Sequence, residues 1–203
     1  DQRKAYARVR ATSNGTYKLY ELNGNNVPTE VSNPTFVDES STATNAISAC
    51  YFNGNNYFSK YYGMTSNANC LYYTGTYTSS NNVNRDSDLY WITTSGEKSS
   101  VDLDAGGLLS IAAAKDYILL GTSSGLARVA IDESTGTPSG STTNMTGNGG
   151  SVISEYVFMV FVLNPNKKEG SYSTTEGTDE YASSTIYGSI RSSSDSWDDT
   201  GLY

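Results

Sequence analysis

The sequence predicts an all-β fold, on three observations. Tyr, Thr, Ser, Asn and Gly dominate it, a mixture that favours strands joined by polar turns. Its apolar runs have strand length, and helical periodicity is almost absent. Hydrophobic residues are only 36% of the 203, yet 17 Tyr and 5 Phe keep the aromatic share at 12%, which a disordered chain would lack.

The elements follow in chain order. Ala5 to Ala11 alternates, with Ala5, Ala7, Val9 and Ala11 on one face and Tyr6, Arg8 and Arg10 on the other. Ser13-Asn14-Gly15 then turns the chain into a second strand, Thr16 to Leu22; Asn-Gly between two such runs is a hairpin signal. Leu71 to Thr76 leads through a polar loop, Thr78 to Asp86, into Asp88 to Ile92. Gly106 to Lys115 is the best helix candidate, but it is short and opens with two glycines, so it reads as a strand. Tyr117 to Thr122 leads through Ser123-Ser124 into Gly125 to Ile131. Ile186 to Ile190 leads to Gly201-Leu202-Tyr203.

These units repeat. Leu19, Leu89, Leu126 and Leu202 fall at matching places in them, at irregular spacing, with the extra length in polar loops such as Asn164 to Ser184. Another apolar strand precedes each later hairpin: Ala46 to Phe52, Leu108 to Ala113, and Val152 to Leu163. Such a repeat suggests the blades of a β-propeller; a β-sandwich is the alternative. A blade alone exposes two apolar faces, so neighbours must stack to bury them.

Leu108 to Arg128, which contains Gly121-Thr122-Ser123-Ser124-Gly125-Leu126, resembles one blade of the bacterial two-component-regulator propeller repeats, where a Gly-Thr-x-x-Gly-Leu turn joins two strands. Gly201-Leu202-Tyr203 keeps the second half of that turn and Gly75-Thr76 the first. In this turn Gly121 lets the strand end turn without a Cβ clash, Gly125 supplies positive φ or close strand approach, and Leu126 points between blades. The resemblance implies a bacterial, extracytoplasmic protein: periplasmic, secreted, or held at the cell surface as a lipoprotein. It also implies that residues 1–203 form a single all-β domain, part of a longer propeller. Asp1-Gln2-Arg3-Lys4 carries no leader pattern: either a leader has been removed or the sequence begins after it.

Several functions are disfavoured. The net charge of −8 repels phosphate backbones and anionic membrane surfaces, and no apolar window is long enough for a spanning helix. Without histidine there is no Ser-His-Asp or Cys-His site and no imidazole ligand for a metal. No cofactor is expected. Asp86/Asp88, Asp102/Asp104 and Asp195/Asp198/Asp199 are acidic clusters in turns, the last a weak Ca²⁺ candidate; turn residues bonding their own backbone are the plainer reading. Cys50 and Cys70 either form one disulfide or are two free thiols.

What remains is recognition. Exposed Tyr and Trp offer rigid area with a polar tip. Tyr77, Tyr172, Tyr181 and Trp197 lie in or beside loops and are the binding candidates; aromatics within strands read as cross-strand packing. The expectation is a non-catalytic recognition or scaffolding domain for a protein or glycan. The alternatives are a structural subunit that self-associates through blade edges, and a carboxylate-dependent hydrolase. Ser194-Asp195-Ser196-Trp197 is similar in part to the Ser-x-Asp-x-Gly-x-Thr-Trp turn of sialidase-type propellers but lacks its glycine.

Overall fold

The structure, a computed structural model, describes residues 4–10, 13, 15–22, 27–38, 46–61, 63–75, 77–78, 84–85, 87–146, 152, 154, 156–162, 186–191 and 201–202. They are all-β, in 19 strands, with no helix among the described residues. By its packing the chain divides into two compact units, Asp1–Tyr62 and Gly63–Tyr203.

The first unit holds two sheets. Sheet one is a meander of β1 (Ala5–Arg10), β2 (Tyr17–Leu22) and β3 (Pro28–Glu30). Sheet two contains β4 (Thr35–Phe36), β5 (Ser48–Phe52) and β6 (Asn55–Ser59), in the order β4-β6-β5. Asn53 and Gly54 turn β5 into β6 at φ +47° and +83°, the left-handed pair that a tight hairpin requires. Leu19, Ala46 and Phe58 form the core, flanked by Tyr6, Val31 and Phe36. Strand β1 does alternate, but it is Tyr6, from the aromatic and basic face, that turns toward the core, while Arg8 and Arg10 on that face are exposed. Tyr6 meets the Phe58 ring edge-on at 5.0 Å, while Val9 on the opposite face is 45% exposed. One aromatic ring against the core removes more apolar area from water than small alanines would.

The second unit holds three sheets, each a meander. Sheet three runs β7 (Met64–Ser66), β8 (Cys70–Thr74), β11 (Asp88–Thr93) and β12 (Lys98–Asp102). Between β8 and β11 the expected polar loop carries a small ladder of its own, β9 (Tyr77–Thr78) against β10 (Asn84–Arg85). Sheet four runs β13 (Leu108–Ala113), β14 (Tyr117–Thr122), β15 (Gly125–Ile131) and β16 (Pro138–Asn144). Sheet five runs β17 (Tyr156–Val162), β18 (Ile186–Arg191) and β19 (Gly201–Leu202). The strand expected over Ala46 to Phe52 belongs to sheet two as β5; the first strand of sheet three is the short polar β7.

Sheet four is covered on both faces. Ile118, Leu120, Ala127 and Val129 pack with Tyr72, Leu89 and Trp91 of sheet three. Ala112, Leu119 and Leu126 on the other face pack with Val157 and Val160 of sheet five. First strands lie against first strands: β13 packs beside β7 and beside β17. The four anchor leucines occupy four separate sheets. Where their side chains are described, each packs with the following sheet: Leu19 with Phe58, Leu89 with sheet four, Leu126 with Val157 and Val160.

The motif glycine works differently from the sequence expectation. Gly121 lies within β14, opposite Leu126, and its missing Cβ makes room for the next sheet. A Cβ there would sit 2.5 Å from the Val157 carbonyl oxygen and 2.5 Å from Ser110 Oγ. Gly125, at φ +135°, does take the backbone conformation expected of it.

The turn from β15 to β16 is latched onto sheet three. Asp132 Oδ1 accepts from the Ser134 and Thr135 amides at 2.8 and 2.9 Å and so shapes the turn. The buried Tyr72 hydroxyl donates to Gly136 O at 2.7 Å, Asn69 Nδ2 to Glu133 O at 2.6 Å, and the Cys70 thiol to Thr135 O at 3.3 Å. Asn67 Nδ2 reaches Ala114 O at 3.0 Å, and the Ala113 amide donates to Thr65 Oγ1 at 3.1 Å. Each bond contributes about 1 kcal/mol net and fixes how one sheet sits on the other.

Candidate functional site

Tyr77 lies in β9, opposite Arg85 of β10, on the ladder that continues the β8–β11 hairpin. Tyr172, Tyr181 and Trp197 lie outside the described residues, as do Asp195, Asp198 and Asp199. Asp86 also lies outside them. Asp88 and Asp102 stand directly opposite each other in the β11–β12 ladder. Like charges there repel, and each carboxylate takes a hydroxyl donor: Tyr90 at 3.1 Å on Asp88, Ser87 at 2.5 Å on Asp102. Among the described residues no group of three or more acidic or cysteine side chains gathers as a metal site. Cys50 and Cys70 are both free thiols, Cys50 half-buried and Cys70 buried. Burial pushes the Cys70 thiol pKa up.

The first unit carries a recess that the sequence reading missed. It is about 250 Å³ and is lined by Lys4, Tyr6 and Arg8 from β1 and its approach, by Ala46 to Ala49 at the start of β5, and by Leu19 and Phe58 beneath. Strand alternation puts Lys4, Tyr6, Arg8 and Arg10 on one face of β1. The Arg8 guanidinium lies 4.5 Å from the Tyr17 ring centre and that of Arg10 5.2 Å, so one ring orients two cations. Glu21 balances part of this charge: Lys4 Nζ pairs with it at 3.0 Å and the Tyr6 hydroxyl donates to it at 3.3 Å. Burial and the Glu21 carboxylate together raise the Tyr6 pKa to about 12, so this hydroxyl stays protonated. Chemically the recess offers two cations, two rings and the Ser48 side chain. These are groups that bind an anion or an amphipathic segment. Its signal was in the sequence: five of the 13 basic residues (Arg3, Lys4, Arg8, Arg10 and Lys18) fall before position 19, in a chain of net charge −8.

Fold and recess together define a class: an all-β chain of small sheets packed face to face within each unit, with a basic, aromatic recess on sheet one. No family model matches the chain, and no curated protein matches it. No described helix is long and apolar enough to cross a membrane.

Proposed function

We propose that the chain is a non-catalytic recognition domain of an extracytoplasmic protein, and that its sheets are the blades of a β-propeller. Three features support the blade reading: each later sheet is a meander in chain order, first strands neighbour first strands, and the anchor leucine packs with the following sheet. The recess beneath Lys4 and Arg8 carries the recognition reading, because its lining supplies charge, ring area and shape. The ligand class is a protein or a glycan, met at the recess and at loops bearing Tyr77, Tyr172, Tyr181 and Trp197.

The test is binding of the whole chain to paired glycan and peptide arrays. Selective binding that weakens when Arg8, or Tyr77 with Tyr172, Tyr181 and Trp197, is replaced by Ala supports the proposal. No binding on either array counts against it. A second reading, a self-associating structural subunit, draws on the outward face of sheet one, where Val9 and Leu22 are 45% and 42% exposed. A monomer in dilute sedimentation argues against that reading.

A further inference from the structure

The geometry points to Asn144 as the acceptor of an N-linked oligosaccharide, an inference that rests on the extracytoplasmic reading. Asn144-Met145-Thr146 follows the Asn-x-Ser/Thr pattern that oligosaccharide transferases read, with no proline in the middle. The pattern alone marks no site; presentation of its side chains does. Side chains two apart on an extended chain share a face. Asn144 ends β16, opposite the buried Ala127, yet Asn144 and Thr146 are both exposed. Met145 between them is anchored: it packs with the core of Ala112, Leu119, Leu126 and Val157, and its amide donates to Leu126 O at 2.9 Å. Thr146 is held by a bridge to Val152. The middle residue thus ties the segment to sheet four, and the carboxamide and the hydroxyl are left together on the wet side.

Other asparagines are committed to the fold. Asn67 donates to Ala114 O, Asn69 to Glu133 O and Asn55 to Asn53 O. The Asn144 carboxamide makes no hydrogen bond with another described residue, so a glycan there displaces no contact. Asn33-Pro34-Thr35 is an internal control: Asn33 and Thr35 are exposed too, but Pro34 fixes φ and breaks the pattern. Asn14-Gly15-Thr16 also fits the pattern, with Asn14 outside the described residues. The donor is a polyprenyl-pyrophosphate oligosaccharide, used outside the cytoplasm. Nδ2 of Asn144 bonds to the anomeric carbon of the sugar. The bond from that carbon to the pyrophosphate oxygen breaks, and the pyrophosphate leaves with the electron pair. Nδ2 gives up one proton to a base of the transferase. The Thr146 hydroxyl is the group by which the transferase recognises the acceptor.

The experiment secretes the full chain, carrying Asn14→Gln, from a host whose secretory pathway holds an oligosaccharide transferase. Peptide mass spectrometry should find a glycan on Asn144 and none on Asn33. Asn144→Gln and Thr146→Ala should each abolish it, while Thr146→Ser should keep it at lower occupancy. The glycosylated chain should melt within about 2 °C of the same chain after enzymatic removal of the glycan, because an exposed acceptor needs no repacking. No glycan on Asn144, or a larger drop in the melting point, overturns the inference. The natural chain, recovered from fractionated source cells, supplies the second measurement. Recovery outside the cytoplasm with a glycan on Asn144 supports the inference. Recovery outside the cytoplasm with Asn144 bare overturns it and leaves the extracytoplasmic reading standing. Recovery from the cytoplasm alone overturns both.

Discussion

Replacing Gly121 with Ala probes how closely sheet five sits on sheet four. The added Cβ would stand 2.5 Å from Val157 O and 3.1 Å from Val157 Cγ1, and 2.5 Å from Ser110 Oγ. A hydroxyl can turn aside, but a carbonyl within a paired strand can move only with its sheet. Overpacking of this kind costs about 1–3 kcal/mol, and the lower freedom of alanine in the unfolded chain returns about 0.4–1 kcal/mol, so the middles of the two ranges leave a net loss of about 1.3 kcal/mol. Urea denaturation followed by circular dichroism measures it, and the thermal midpoint should fall by roughly 2–8 °C. Ser110→Ala is the control. Ser110 Oγ is buried without a hydrogen-bond partner, so its removal alone is neutral or stabilising by up to about 1 kcal/mol. In the double variant the loss at position 121 should shrink but persist, because Val157 O remains. Stability of Gly121→Ala within about 0.5 kcal/mol of the parent, or full rescue by Ser110→Ala, would refute the close approach.

Three further outcomes are expected. Hydrogen bonds from the Ser134 hydroxyl and from the Thr135 and Ser134 amides hold the Asp132 carboxyl at about 2, below its ordinary 3.8. The folded value is the lower one, so its contribution is complete above about pH 4 and is lost as pH falls toward 2; the Ser134 amide shift should titrate near 2, and a midpoint near 4 would contradict the turn. Native chain treated with a thiol reagent should modify Cys50 and spare Cys70 until unfolding; no reactive thiol, or two, would contradict their burial. Tyr72→Phe removes the bond to Gly136 O and should cost about 1–2 kcal/mol, with faster hydrogen exchange across residues 132–137; unchanged exchange there would contradict the latch.

Legibility from the sequence followed apolarity. Strands β14 and β15 fall where the runs Tyr117 to Thr122 and Gly125 to Ile131 put them, because both are apolar and bounded by turn residues. The edge strands β12 (Lys-Ser-Ser-Val-Asp) and β16 (Pro-Ser-Gly-Ser-Thr-Thr-Asn) were not foreseen, since an edge facing water needs no apolar face. Asn53-Gly54 carried the same hairpin signal as Asn14-Gly15 and would have given β6. In β1 the alternation was visible but the buried face was not, because Ala and Val read as inward while Tyr6 makes the larger contact. The recess depends on β5 approaching β1 across about 40 residues of sequence, and no local pattern encodes that meeting. Only the cluster of basic residues near the start of the chain pointed to it.

Hydrogen exchange across the whole chain tests most directly whether sheet four is enclosed by sheets three and five. Amides of β14 and β15, paired on both sides and covered on both faces, should be the slowest in the chain, with those of the outer strands β12 and β16 faster by orders of magnitude. Exchange in β14 and β15 as fast as in β16 would mean that sheet four stands uncovered.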